Sequence, residues 1–247
     1  MRIGAMQMRL STDLKTNLKT IENWLVKAAD HGVEILNFPE TCLTGYLFDS
    51  FSDVKNEDIT RSIDYLSGLS QEKGVSIIVG TPFWDNKRCF NSVAVILADG
   101  RRYMYHKINL VSNEQDYFVP GSETVTFTIN QVTFGTIICR DQNFPALARR
   151  IKDAGAQVLF ISCAHFYSPS EARLKIEKNR ALPIVRAYEN EMFVCKANAI
   201  GTFRGTINLG HSIIVAPNGV VVSEAGETQE EMLFFDIDPS FDWRWAK

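Results

Sequence analysis

The sequence predicts a single α/β domain in which helices and strands form three or four layers around mixed sheets. Short runs with the apolar or alternating pattern of strands are interleaved with longer runs that repeat apolar residues with a helical period. Some strand runs, such as residues 33–38 and 156–162, are apolar almost throughout, which is typical of strands covered on both faces. Hairpin-like pairs at residues 127–135 and 213–223 predict antiparallel neighbours.

These runs continue from the first residues almost to the last. The predicted strands lie at residues 2–8, 33–39, 75–83, 91–98, 102–107, 124–129, 132–139, 156–164, 191–199, 211–217 and 219–225. The predicted helices span residues 12–31, 58–73, 144–154 and 170–189. No linker rich in proline, glycine or serine and no repeat separates them, so we expect residues 1–247 to form one domain.

The composition argues against several classes of partner. The chain has 247 residues, 45% of them hydrophobic, which is enough for a large core. Its net charge is −3, and basic residues cluster no further than pairs such as Arg101 and Arg102. Such a surface is not expected to bind nucleic acid or an anionic membrane. We therefore expect the partner to be a small neutral or polar molecule.

Cysteine usage bears on the compartment and on metal binding. The five cysteines are odd in number, widely spaced and without a CxxC pair, so they predict neither a disulfide framework nor a zinc cluster. The four histidines form no i, i+4 pair, and no metal ligand set is predicted. The amino terminus lacks a signal-like apolar stretch, and no apolar run reaches about 18 residues. These observations predict a cytoplasmic protein.

Three chemically complementary side chains follow predicted strands. Glu40, Lys107 and Cys139 each stand where an apolar run ends. Sites in α/β folds tend to lie at such strand ends. Taken singly, each residue has an ordinary explanation: a solvated glutamate, a surface lysine, or a buried cysteine that acts as a small hydrophobe. Together they supply a nucleophile, a base and a cation, which suffices for acyl transfer.

Cys139 has a further property that favours a nucleophile. The residues that follow it, from Arg140 to Ile151, predict an amphipathic helix directly after the strand. Backbone N–H groups at a helix start stabilise a thiolate and can receive an oxyanion. The sequence therefore predicts a strand-to-helix elbow with the thiol at its tip.

Five segments carry a family resemblance, in this order along the chain: FPETCLTGY, HKINLVSNEQDYFVPG, GTIICRDQNFPALARR, RAYENEMFVCKANAIG and GHSIIVAPNG. They resemble the signature segments of the nitrilase superfamily of carbon–nitrogen hydrolases. The resemblance implies a four-layer α-β-β-α sandwich, a homodimer, no metal or organic cofactor, and a Glu-Lys-Cys triad. On the matching positions, the triad is Glu40, Lys107 and Cys139, with Glu114 as a second glutamate that orients the lysine or assists proton transfer.

Four residues are candidates for substrate binding. Tyr46 and His165 match pocket positions of the family, although a packed aromatic ring and a hydrogen-bonded loop histidine are equally good interpretations. Arg140 could receive a substrate carboxylate or instead pair with Asp141 or Glu114. The C-x-D-x-N-F-P segment, which contains Asn143, resembles that of small aliphatic amidases.

The reaction implied by the resemblance is hydrolysis of a small linear amide or an N-carbamoyl compound through a cysteine thioester. The sequence does not decide between these two substrates. Hydrolysis of a nitrile is a weaker alternative, because the Trp-Glu pair common after the nitrilase cysteine is absent. Ammonia supply to a separate partner and a non-catalytic binding protein on the same fold are further alternatives. No GxSxG elbow supports a serine hydrolase.

Overall fold

The computed structural model describes residues 1–46, 54–238, 240 and 243. In chain order, the elements are β1 (Arg2–Arg9), α1 (Leu14–Asp30), β2 (Ile35–Asn37), α2 (Asn56–Lys73), β3 (Ser76–Asp85), β4 (Arg88–Ile96), β5 (Arg102–His106), β6 (Val125–Ile129), β7 (Val132–Ile138), α3 (Pro145–Asp153), β8 (Val158–Cys163), α4 (Pro169–Asn190), β9 (Phe193–Phe203), β10 (Thr206–Leu209), β11 (Ile213–Val215), β12 (Val221–Glu224) and β13 (Glu231–Asp236). Short 3-10 turns cover Ser112–Glu114 and Cys139–Asn143.

The strands form one continuous hydrogen-bonded network, which bends into two packed sheets where the end of β1 meets β9. Their order is β5-β4-β3-β2-β1-β9-β8-β7-β6, with β10 and β11 also paired to β9, β12 paired to β11, and β13 paired to β1. β1 pairs with β13 as far as Gln7, and its last two residues then pair in parallel with β9. β1 therefore joins the two sheets and fixes their relative position.

The buried residues show a four-layer arrangement. Alternate residues of β1 point to opposite faces, so Ile3 and Ala5 join the core between the sheets, while Met6 and Met8 pack with α1 and α2. On the other sheet, α3 and α4 provide the outer cover through residues such as Ile151. The predicted α-β-β-α sandwich is confirmed.

Two of the observed strands, β10 and β13, were not predicted from the sequence. β10 has four residues, and β13 reads EMLFFD, in which a short apolar run is flanked by acids. Neither shows the alternation or length on which strand prediction depends. The helix predicted over residues 144–154 is present as α3, but the 3-10 turn Cys139–Asn143 separates it from Cys139, where the sequence predicted a helix directly after the strand.

Four strands run in the same direction, so the loops that follow them begin at the same edge of the sheets. β1, β2 and β3 are parallel, and two antiparallel steps through β4 return β5 to that direction. β7, β8 and β9 are also parallel to one another and to β1. The carboxyl ends of β2, β5, β7 and β8 therefore lie at one edge, followed by Glu40, Lys107, Cys139 and Ala164.

The loop that carries Glu40 is pressed against a strand. A Cβ atom added to Gly80 of β3 would lie 2.3 Å from both the carbonyl oxygen of Pro39 and the amide nitrogen of Thr41. Thr41 itself has a φ of 50°, a left-handed conformation that is rare for a β-branched residue. Only glycine at position 80 lets the backbone on either side of Glu40 approach this closely.

We predict opposite effects for two glycine-to-alanine substitutions. Gly80→Ala adds a methyl group with no space, and we expect it to lower the free energy of unfolding by about 1–3 kcal/mol or more. Gly68→Ala, within α2, adds a methyl group that meets nothing within 4 Å and should raise stability by about 0.5–1 kcal/mol. Urea unfolding of both variants measures the difference. Equal effects would show that the Gly80 approach is not a packing constraint.

Candidate active site

Lys107 stands between two buried carboxylates. Its Nζ donates to Glu40 Oε1 at 2.6 Å and to Glu114 Oε1 at 2.8 Å, and all three side chains are inaccessible to solvent. Burial of these charges would be costly without mutual pairing. The structure thus brings three of the predicted catalytic residues into direct contact, although they lie up to 74 positions apart in the chain.

Neutral donors complete the network around the carboxylates. The Asn91 side-chain amide donates to Glu40 at 2.8 Å and to Glu114 at 2.9 Å. The Tyr46 hydroxyl donates to Glu114 at 2.8 Å. Backbone N–H groups supply the remaining bonds, from Ala164 to Glu40 Oε2 at 3.1 Å and from Val111 to Glu114 Oε2 at 2.8 Å. Both carboxylates are therefore fixed at both oxygens.

The surroundings raise the pKa of both Glu40 and Lys107. Burial, followed by the charge of a Cys139 thiolate, raises the pKa of Glu40 well above its ordinary value, against the opposing effect of Lys107. Burial acts to lower the pKa of Lys107, but the negative charges around it outweigh burial and raise that pKa. The lysine consequently stays charged, and Glu40 becomes a stronger base than an exposed glutamate.

Cys139 occupies the predicted elbow in a strained conformation. It follows β7 directly and has a φ of 46°, a conformation that costs a non-glycine residue roughly 1–3 kcal/mol. Strain of this kind is often found at functional sites. The neighbouring Cys163 thiol and burial raise the pKa of Cys139 to about 12, against smaller opposing effects of His165 and Lys107. The resting group is therefore a protonated thiol that needs a base.

Asp141 holds the elbow in place. This buried carboxylate accepts from the Tyr105 hydroxyl at 2.8 Å, from the Ile138 amide at 3.1 Å, and from the backbone and side chain of Asn109 at 2.8 and 2.9 Å. Burial raises its pKa, although these hydrogen bonds act in the opposite sense. Asp141 thus ties the turn after β7 to the segment after Lys107.

The candidate substrate-binding residues have different placements. Tyr46 contacts Glu114, as described above, and stacks on Phe166 with ring centroids 6.3 Å apart. His165 is buried beside Cys139. Arg140 is partly buried and donates to the Leu110 carbonyl at 2.8 Å, rather than to Asp141 or Glu114. Asn143 is exposed at the end of the 3-10 turn.

Sequence reasoning overlooked several residues near the thiol. Gln142 is buried, and its side-chain nitrogen lies 3.4 Å from His165 Nε2 and 3.8 Å from Cys163 Sγ. Arg186 of α4 fixes the same turn by donating to the Gln142 carbonyl at 2.8 Å. From the sequence, Cys163 was interpreted as an ordinary core cysteine. The three polar residues 140–142, which directly follow an apolar strand, were a sequence signal that could have identified Gln142. No comparable signal marks Cys163.

Arg140 also lines a surface pocket next to the elbow. The pocket wall includes Asn109, Gln115, Phe118 and Phe144, which combine amide groups with aromatic rings. Such a mixture suits a small molecule with one polar end.

Within the part of the chain that the structure describes, no helix is both long and apolar enough to cross a membrane.

Comparison with known proteins identifies the family of this chain. The carbon–nitrogen hydrolase family model matches residues 2–245. A protein named nitrilase from Pyrococcus abyssi is 31% identical over 90% of this chain and 83% of its own length. The 2-oxoglutaramate amidase of Bacillus subtilis is 30% identical over 90% and 84%. N-carbamoylputrescine amidase of Solanum tuberosum is 31% identical over 96% and 86%.

Solved structures give the same fold. An amidase from Nesterenkonia sp. AN1, in a glutamate-to-glutamine variant with acrylamide added to its active-site cysteine, has a TM-score of 0.86 at 24% identity. The match covers 96% of this chain and 93% of that one. At this identity the likeness shows the fold alone, whereas the family model spans nearly every residue. This chain therefore belongs to the carbon–nitrogen hydrolase family, the nitrilase superfamily, and is an enzyme of that class.

Proposed function

We propose that this protein hydrolyses the carbon–nitrogen bond of a small linear amide, without a cofactor, through a thioester on Cys139. The observation that carries the proposal is the buried Glu40–Lys107–Glu114 network beside a strained cysteine. A protonated thiol close enough to a base for the charge of one to affect the pKa of the other is the arrangement that nucleophilic catalysis needs. A non-catalytic binding protein would have no use for this strain and these buried charges.

In the first step, Glu40 takes the Cys139 proton as the sulfur attacks the carbonyl carbon. The pKa of the thiol is about 12, so an ordinary carboxylate would accept its proton at a large cost. Burial raises the pKa of Glu40 and thereby reduces this mismatch. Glu40 has one oxygen tied to Lys107 and the other to the Ala164 amide, which keeps the carboxylate oriented during the transfer.

The developing oxyanion is stabilised by Lys107 and by the backbone N–H of Arg140. Lys107 keeps its charge, because the surrounding carboxylates raise its pKa. The left-handed turn at Cys139 redirects the backbone immediately before the Arg140 amide. Fixed donors of this type are effective since they do not reorganise as charge develops. Glu114 acts through Lys107, by holding the ammonium group in position.

Glu40 then protonates the leaving nitrogen, and ammonia or an amine departs. The same carboxylate takes a proton from a water molecule as that water attacks the thioester carbonyl, and it returns the proton to the departing sulfur, so that the acid and the free thiol are released. One group serves as base, acid, base and acid in turn, and a raised proton affinity suits a group that must both accept and donate. The protein returns to its starting state with no external reductant or metal.

For the substrate, we favour a linear amide that carries a carboxylate at its far end. Arg140 is partly buried next to the nucleophile, and the Leu110 carbonyl engages one of its five N–H donors. The similarity to 2-oxoglutaramate amidase supports the same choice, since that name denotes an amide with a carboxylate. N-carbamoyl compounds remain the second candidate, supported by the similarity to N-carbamoylputrescine amidase.

We also propose that the protein is a cytoplasmic homodimer. All five cysteines are free, as expected in a reducing compartment. Leu174, Ala181, Val185 and Tyr188 lie on one face of α4, because their spacings of 7, 11 and 14 residues are close to whole helical turns. Leu174 is 83% and Tyr188 69% exposed. A second copy of the chain would cover this apolar stripe.

Substitution of the base and the nucleophile tests the chemistry. We expect Glu40→Gln to lower kcat by about 10²–10⁴-fold, since general acid–base catalysis contributes that much. Cys139→Ala should abolish turnover. With fluoroacetamide, Glu40→Gln should accumulate an adduct on the peptide that contains Cys139, detectable by mass spectrometry, as in the comparable variant of the Nesterenkonia amidase. Cys195→Ala, which removes another buried thiol, should behave as the wild type. An adduct on a different cysteine would contradict the assignment.

The substrate preference can be tested at Arg140. Arg140→Met should lower kcat/KM for an amide with a terminal carboxylate by about 10- to 150-fold, the equivalent of about 1.5–3 kcal/mol for a charged hydrogen bond. A neutral amide of the same length should change little. Arg149→Met removes an exposed guanidinium on α3 and serves as the control. Equal losses for both amides would show that Arg140 does not receive the carboxylate.

The dimer can be tested by sedimentation velocity. We expect the double substitution Leu174→Lys and Tyr188→Lys to raise the dimer Kd by about 1,000-fold, because two buried interface anchors at about 2 kcal/mol each contribute about 4 kcal/mol. The matched control is Tyr65→Lys, which replaces an exposed tyrosine of α2 in the opposite outer layer. A wild-type protein that sediments as a monomer, or a double variant that stays dimeric, would contradict the proposed interface.

A further inference from the structure

Two side chains that the hydrolytic mechanism does not require stand beside the nucleophile. Cys163 ends β8, and His165 lies two residues further on. One ligand atom each from Cys139, Cys163 and His165 lies within 4.8 Å of the others. Cys163 and His165 are buried, and Cys139 is partly accessible. The reactive sulfur therefore belongs to a compact group of three soft ligands.

We propose that this group, Cys139, Cys163 and His165, is an inhibitory site for a thiophilic divalent cation such as Zn²⁺. A Cys₂His set with one open position is an established zinc environment. Tetrahedral coordination at zinc–ligand distances of 2.0–2.3 Å sets ligand atoms about 3.5–3.8 Å apart, so closure of the present group requires only small side-chain movements. The fourth position is left for water.

The hydrogen bonding of His165 provides an independent indication. Its Nδ1 is buried and has no hydrogen-bond partner among the described residues, and its Nε2 has only the long 3.4 Å approach of Gln142. A buried polar nitrogen without a partner is unfavourable. Coordination of a metal ion through one ring nitrogen would leave the other as an N–H donor, and Gln142 Oε1, which is also buried without a partner among the described residues, accepts from it once the Gln142 amide is rotated.

The charges around the group also tolerate the cation. Zinc binding releases one proton from each thiol, and the two thiolates formed balance the two charges of the ion. The net charge of the buried site, which holds Glu40, Glu114 and Lys107, is then unchanged. The exchange thus avoids the cost of adding a net charge to the interior.

Metal binding would stop hydrolysis without denaturing the protein. The lone pair with which Cys139 attacks the amide carbonyl would be held in the bond to the metal. A chelator should restore activity, because no covalent bond to carbon is formed or broken. This inhibition rests on the proposed role of Cys139 as nucleophile, whereas the binding of the metal does not.

A spectroscopic titration tests the site apart from activity. Reduced, chelator-treated full-length protein is titrated with Co²⁺ in the absence of oxygen. We expect a thiolate-to-cobalt charge-transfer band that saturates at one ion per chain, is displaced by Zn²⁺, and is accompanied by release of two protons per zinc. Cys163→Ala should lose the band, and Cys163→Ser, which keeps the side-chain volume, should lose it as well. Cys195→Ala should retain it.

The activity measurement uses the same proteins with and without Zn²⁺. We expect the zinc concentration for half inhibition to rise more than about 100-fold in Cys163→Ser, since loss of even an outer-shell partner costs about 10–100-fold in metal affinity. Binding with normal spectra but without inhibition would refute the nucleophile and leave the metal site intact. Absence of the charge-transfer band, or unchanged inhibition of Cys163→Ser, would overturn the site. Inactivation reversed by a thiol reductant but not by a chelator would show a Cys139–Cys163 disulfide instead.

Discussion

The ion pair network at the centre of the molecule is the constraint on which the rest depends. Lys107 is inaccessible to water, and two carboxylates share its ammonium group. Loss of one partner from such a network leaves an uncompensated buried charge, which costs about 3–5 kcal/mol. The surrounding backbone must therefore present Glu40, Lys107 and Glu114 in one geometry. The amides of Ala164 and Val111 and the side chain of Asn91 are arranged to do so.

The same network links the two sheets. Glu40 follows β2 of one sheet, and the Ala164 amide that it accepts from follows β8 of the other. The backbone amide of Glu40 also donates to the Cys163 carbonyl at 3.3 Å. A shift of one sheet against the other would break these bonds and move the Cys139 thiol relative to Glu40, its proposed base. Packing of the apolar core between the sheets thus sets the distance between the proposed catalytic groups.

The elbow at Cys139 keeps a conformation that lowers stability and places the thiol at the sheet edge. A left-handed cysteine is unfavourable, yet Asp141 holds the turn with hydrogen bonds to the strand before it and to the Asn109 segment. These bonds make the strained conformation persist. The strand brings the sulfur to the sheet edge, and the reversed backbone exposes it beside Lys107 and Glu40. Strain, burial and proton affinity are therefore consequences of one local structure.

The sequence permitted prediction of those features that local pattern determines. Glu40, Lys107 and Cys139 could be selected because each ends an apolar run, and strand direction then predicts that they meet. The contact of Cys163 with the nucleophile could not be predicted, since it depends on the register of β7 against β8. β13 was missed for a similar reason, because its six residues are specified by pairing with β1, more than 220 positions earlier, rather than by their own alternation.

Some residues of the site can be substituted with less effect on the ion-pair network than others. The residues of the proposed triad are tied to buried charges and to the sheet edge, so a substitution there disrupts a whole network. Cys163 ends β8 and His165 follows two residues later, and their side chains lie within 4.8 Å of the Cys139 sulfur without taking part in the ion pairs of Lys107. A change at either position can alter what binds to the sulfur while Glu40 and Lys107 keep their geometry. Control of the nucleophile is thereby separable, in physical terms, from the chemistry that it performs.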